Sequence, residues 1–181
     1  MSLEYITQKG AKLVQRCDTR DPFKIAKDLG IKVMFVDNFE KLKGVYRVIK
    51  RNRWIFINSN LSEWMQRVVC AHELGHDQLH RSLAKGDGLM EFVIYDMNTR
   101  PEYEANVFAS QILLPDDEVL ELIHEGYDSQ QIACIMHSDI NLVALKVATL
   151  NQQGYNFRNI DHNSTFLNQN HRFNRWFAPP L

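Results

Sequence analysis

The chain has 181 residues, 45% of them hydrophobic and 24% charged, and its 21 Lys and Arg against 22 Asp and Glu leave a net charge of −1. That size and apolar share suit one compact domain with at most a small appendage, and exclude a disordered chain. The near-neutral balance lacks the basic excess that non-specific binding to DNA or an anionic membrane requires.

The amino terminus, Met1-Ser2-Leu3-Glu4-Tyr5, has an acid where a secretory signal wants basic residues followed by a long apolar run. Apolar runs elsewhere span only a few residues, against the ~20 of a membrane-spanning helix. Cys17, Cys70 and Cys134 are odd in number, far apart and free of Cys-x-x-Cys spacing, so no disulfide framework or thiolate zinc knuckle is expected. These features together predict a reducing, cytoplasmic setting and no membrane partner.

No internal repeat is present. Residues 3–16 carry apolar side chains at helical intervals, and Asp21-Pro22 supplies an N-cap and a first-turn proline for a second helix that Gly30 stops. Three β-type runs follow, at residues 31–36, 44–50 and 53–58, the last two joined by a short polar turn as a hairpin. Basic residues (Arg47, Lys50, Arg51, Arg53) cluster at that hairpin and read as its solvated tip, with contact to an acidic partner or nucleic acid as the alternative. Asn60 with Glu63 has the form of a capping box opening a helix to about Leu79, and Lys85-Gly86-Asp87-Gly88 forms a linker. Arg100-Pro101 opens a further helix that Pro115 ends, and residues 116–124, 129–136 and 140–151 read as three short helices. Beyond Gly154 asparagines mix with Phe, His and Arg, and the tail reads as irregular or partner-dependent. The expected division is a core over 1–126, a helical hairpin packed on it over 127–154, and the tail over 155–181.

The chemical signal is His72-Glu73-Leu74-Gly75-His76. Helix positions four apart differ by about 40° in azimuth, so both imidazoles project from one face and can reach a single Zn²⁺ at roughly 2.0–2.1 Å. Glu73 lies about 100° around from His72, beside such an ion, where it can take a proton from an activated water. At this composition the pattern arises by chance roughly 0.015 times per chain, which makes two packed core histidines the weaker reading. A catalytic zinc needs a third protein ligand and an open position. A third His six residues after His76 would mark a metzincin, but Ser82 stands there. A carboxylate on the later helix is the remaining option. Glu102, Ala105, Asn106 and Ala109 share one face of it, with small residues that permit close approach, and Glu104 points about 200° away from Glu102, so both cannot serve one ion.

These pieces together resemble the ImmA/IrrE family of HExxH metallopeptidases over roughly residues 20–150: a short strand pair running into His72-Glu73-Leu74-Gly75-His76, then the run Glu102-Tyr103-Glu104-Ala105-Asn106-Val107-Phe108-Ala109, then Ile112-Leu113-Leu114-Pro115. The resemblance implies an α+β, zincin-like core with a small three-stranded, mainly antiparallel sheet and C-terminal helices. The related gluzincin pattern puts the third ligand at Glu102, with Glu104 as the fallback, and Asn106 could hold His72 or His76 in its ligating tautomer. Glu73 is then the general base of a zinc-dependent endopeptidase. The implied substrate is a helix-turn-helix (Xre-like) repressor of a phage, mobile element or stress regulon. The alternative is a non-proteolytic module that binds a repressor or toxin through the same fold. Tyr95, Tyr103 and His137 are oxyanion-donor candidates by residue type only, and His80, one turn past His76, reads as a packing or hydrogen-bonding residue with a further ligand as the alternative. A substrate peptide is expected to add as a strand to the sheet edge.

Residues 129–150 have a helix-turn-helix look, with Ser138 expected to cap the second helix. That helix offers only Asn141 and Lys146 before Asn151 for base or phosphate contacts, so a structural hairpin is expected and direct DNA binding is not.

Overall fold

The computed structural model describes residues 1–82 and 99–157. Among these the chain forms seven helices and three strands: α1 (Leu3–Cys17), α2 (Pro22–Asp28), β1 (Lys32–Val36), β2 (Gly44–Ile49), β3 (Asn52–Asn58), α3 (Glu63–Leu79), α4 (Arg100–Leu113), α5 (Asp116–His124), α6 (Ser129–Ile135) and α7 (Ile140–Gln152). The α+β class is the expected one. The 85–88 linker, Tyr95 and the tail beyond residue 157 lie outside the described residues.

The sheet is mixed and ordered β1-β3-β2, where a mainly antiparallel one was expected. β2 and β3 are antiparallel (Tyr46 opposite Ile55), whereas β1 runs parallel to β3 (Phe35 opposite Ile57). The hairpin forms as expected, its turn carried by Lys50 and Arg51 at φ of 48° and 67°, the left-handed pair that lets two residues close a twisted hairpin. Because β3 takes the centre, β1 and β2 become the two edges. Alternation sends Tyr46, Ile55 and Ile57 into the core, where none exceeds 4% exposure. On the opposite face Trp54 and Phe56 stack at 5.8 Å, with the Lys32 ammonium 4.8 Å from the Trp54 ring centre.

α3 is the central element. Its residues from Val68 to Asp77 are buried without a break, the mark of a helix enclosed on all sides. Its amino terminus differs from expectation: Ser62 is the N-cap and makes no side-chain capping bond. Asn60 is occupied elsewhere, its amide donating to the Asp37 carbonyl at 3.0 Å and its backbone N–H to Asn58 Oδ1 at 2.9 Å, so it belongs to the turn after β3. Gln66 Nε2 closes the same turn on the Leu61 carbonyl at 2.8 Å.

α6 and α7 meet at 114°, an angle within the helix-turn-helix range. α7 nonetheless buries Leu142, Val143, Leu145, Lys146, Val147, Thr149 and Leu150, which leaves little face for a groove of DNA. Lys146, one of the two residues suited to such contacts, donates instead to Gln111 Oε1 at 2.9 Å and to Asp116. The cap of α7 is Asp139, whose carboxylate accepts from the Asn141 N–H at 2.8 Å, while Ser138 Oγ is buried and caps nothing. No single helix among the described residues is long and apolar enough to cross a membrane.

Candidate metal centre

The site arises where α4 crosses α3. A Cβ added to Gly75 would lie 2.9 Å from Ala105 Cα and 3.0 Å from its carbonyl oxygen, so glycine at this position sets how closely the helices approach. The small pair brings the turn of α3 that bears His72 and His76 against the turn of α4 that bears Glu102 and Asn106. His72 Nε2 stands 3.1 Å from Glu102 Oε2 and His76 Nε2 stands 3.2 Å from Glu102 Oε1. The two Nε2 atoms are 3.0 Å apart. One ligand-type atom from each of the three residues lies within 4.8 Å of the others, and all three residues are buried.

The proton pattern turns lone pairs inward. Asn106 Oδ1 can only accept, so its 2.8 Å contact places a His72 proton on Nδ1, and in the neutral ring Nε2 is then bare toward Glu102. Glu102 is close to both rings, yet neither of its oxygens has an aligned hydrogen-bond donor. Burial works against its ionisation, but the nearness of the His72 and His76 rings brings its carboxyl down to about 2. Burial lowers His76 to about 4, so it stands neutral. Burial also opposes charging of His72, and there the influence of Glu102 and Glu73 wins and raises it. The buried carboxylates thus press for positive charge at the centre of the cluster.

Glu73 is fully buried, and among the described residues neither of its oxygens meets a hydrogen-bond donor in good alignment, the Tyr46 backbone N–H being the donor near it. Desolvation pushes its carboxyl up to about 7, with Glu102 adding to the rise and His72 and the Tyr46 backbone N–H opposing it. Gly44, the first residue of β2, is the neighbour that makes room: a Cβ there would lie 2.3 Å from Val69 Cγ1 and 3.4 Å from Glu73 Oε1. The start of an edge strand is thereby laid against the carboxylate.

Glu104 points away from Glu102, as helical geometry dictates, and binds other groups. Its Oε2 is 3.0 Å from His80 Nε2, and its Oε1 accepts from Arg100 Nε at 2.9 Å and the Met1 amino group at 2.6 Å. His80 Nδ1 is 3.3 Å from His76 Nδ1, so His80 hydrogen-bonds as expected. Tyr103 is 37% exposed on the outer side of α4, and His137 sits in the α6–α7 turn at φ 47°; neither is brought into the three-residue cluster.

Two contributors escaped the sequence reading. Asp77, buried beside His76, accepts from Tyr46 Oη at 2.7 Å, Arg53 Nη1 at 3.1 Å and Arg81 Nη2 at 3.0 Å, tying the hairpin to α3. Arg53 is therefore part of an internal network and not of a solvated hairpin tip. The other is Gly44. An acid on a helix and a glycine at a strand start are too common to signal either role from sequence.

The family described as the IrrE N-terminal-like domain, a peptidase family, matches residues 26–149. The uncharacterized immunity region protein 2 of Bacillus phage phi105 is 33% identical over 135 residues, which cover 75% of this chain and 84% of that protein.

Proposed function

The chain belongs to the ImmA/IrrE family of metallopeptidases, and from that premise we propose that it is a zinc-dependent endopeptidase whose ion is held by His72, His76 and Glu102. The observation that carries the reading is the electron-rich triangle: two imidazole nitrogens and a carboxylate, buried and convergent, with no aligned donor on Glu102. Buried polar groups are almost always satisfied, and two imidazole nitrogens and a carboxylate converging on one point suit a cation. The donor set, two His and one carboxylate, is that of a catalytic zinc with an open position. When bound, zinc supplies Lewis acidity that polarises a peptide carbonyl and acidifies water.

The protein's own groups divide the remaining work. Asn106 fixes the His72 tautomer from the α4 side. Glu73, unpaired and beside the cluster on α3, takes the proton of the attacking water and passes it to the departing amine. Its elevated carboxyl favours that exchange near neutral pH. A substrate in extended form pairs with the β2 edge, which runs past Glu73 at Gly44.

The proposed substrate is a helix-turn-helix repressor of the Xre type, a reading supported by the phage immunity-region relative. The α6–α7 hairpin over 127–154 serves as a structural buttress of the core over 1–126.

The test pairs metal analysis with cleavage of a co-expressed repressor. Glu73→Gln is expected to retain zinc and lose about 10²–10⁴-fold in cleavage rate, and Glu102→Ala to lose zinc. A wild type without zinc overturns the metal assignment, and undiminished cleavage by Glu73→Gln overturns the general base. Stoichiometric relief of repression by Glu73→Gln would favour the binding-module alternative.

A further inference from the structure

His72 and His76 are held from behind in different ways. Behind His72 stands one acceptor, Asn106 Oδ1 at 2.8 Å. Behind His76 stands a second imidazole and then a carboxylate: His76 Nδ1 to His80 Nδ1 at 3.3 Å, and His80 Nε2 to Glu104 Oε2 at 3.0 Å. His80 is the C-cap residue of α3, and its ring returns to within 5.4 Å of the His76 ring. All three residues of this second chain are buried, so in the intact protein each draws its partner from the chain and not from bulk water.

We propose that His80 and Glu104 are positioning residues that form a two-step relay fixing His76 in its metal-ligating tautomer. The inference rests on the metal reading above and extends it to residues that do not touch the ion.

Donor and acceptor chemistry allows one arrangement of neutral rings. Glu104, ionised and held at its other oxygen by Arg100 at 2.9 Å, can only accept, so His80 carries its proton on Nε2. His80 Nδ1 is then an acceptor, and the contact to His76 is a hydrogen bond only if His76 carries its proton on Nδ1. Its Nε2 is thereby bare and faces Glu102 and His72. Both chains run outward to an acceptor on α4, Asn106 for one ligand and Glu104 for the other. The two acids of the Glu102-Tyr103-Glu104 run therefore serve the same site at different depths, Glu102 directly and Glu104 through two rings. Outer partners of ligating histidines commonly set ring orientation and basicity in this way.

The test uses the purified full chain, with Zn²⁺ affinity measured by competition against a chromophoric chelator. Histidine tautomers are read by ¹⁵N NMR. His80→Ala is expected to weaken zinc binding by about 10–100-fold and to leave His76 a mixture of tautomers. His80→Gln, which offers an amide acceptor to His76 and a donor to Glu104, is expected to recover most of the affinity. Glu104→Ala should weaken binding in the same direction, and the His80→Ala, Glu104→Ala pair should be no worse than His80→Ala alone, because the two act in series. Should His80→Ala fail to fold, Glu104→Ala with the same two readouts carries the test. A wild type that holds zinc tightly while His80→Ala (or, in its place, Glu104→Ala) holds it equally well overturns the relay and leaves the metal reading standing. A wild type that binds no zinc overturns the metal reading itself.

Discussion

The α3–α4 seam and the α6–α7 hairpin are both buried helix pairs, and they are filled differently. The hairpin is aliphatic: Ile132, Leu142, Val143 and Leu150 are at most 1% exposed. Its buried polar groups on α7 are satisfied, Lys146 by Gln111 and Asp116 and Thr149 by the Leu145 carbonyl at 2.8 Å. The seam buries His72, Glu73, His76, Glu102 and Asn106, and among the described residues the four carboxylate oxygens of Glu73 and Glu102 meet no well-aligned hydrogen-bond donor. Apolar packing of the first kind adds stability, whereas poorly satisfied buried carboxylates of the second kind subtract from it. The contrast separates a support from a site within one small fold.

Three substitutions break or sharpen that contrast. Leu142→Ala empties a fully buried position of the hairpin and is expected to cost about 2–5 kcal/mol of stability in chemical denaturation. Zinc affinity under native conditions should not change, and a large loss would show that the hairpin shapes the site. Gly75→Ala acts at the seam. The methyl group would meet the backbone of Ala105, so a helix-propensity gain of about 1 kcal/mol is outweighed by overpacking. A net loss of about 1–3 kcal/mol is expected, together with weakened zinc binding. Unchanged zinc affinity would mean that the helices can separate without parting the ligands. Asp128→Ala removes the capping box of α6, in which Asp128 accepts from the Gln131 N–H at 2.8 Å. A loss of about 1 kcal/mol is expected, with no effect on zinc.

Much of the hairpin was legible because its signals are local. Apolar spacing and Pro115 gave α5, α6 and α7 within a residue or two of their observed ends. The cap of α7 was misplaced by one residue, since Ser138 and Asp139 are both cap formers and only the backbone decides between them. Asn60 was misread for a related reason: its side chain had a competing acceptor in Asp37, 23 residues away in sequence. The mixed sheet was equally hidden. Residues 31–36 read as a strand, but nothing in that run says whether its neighbour is β2 or β3, and the parallel pairing to β3 is visible only in the fold.

By itself the sequence determined the spacing of His72, Glu73 and His76 and the face shared by Glu102 and Asn106, because helical periodicity fixes azimuth without reference to any other element. Only the tertiary structure decided that Glu102 and not Glu104 meets His72 and His76, that Asn106 and His80 stand behind different members of that pair, and that Asp77 ties the hairpin to α3. Those outcomes depend on how closely two helices approach, and that distance is set by the contact of Gly75 with Ala105, residues 30 positions apart in the chain and joined only by the fold.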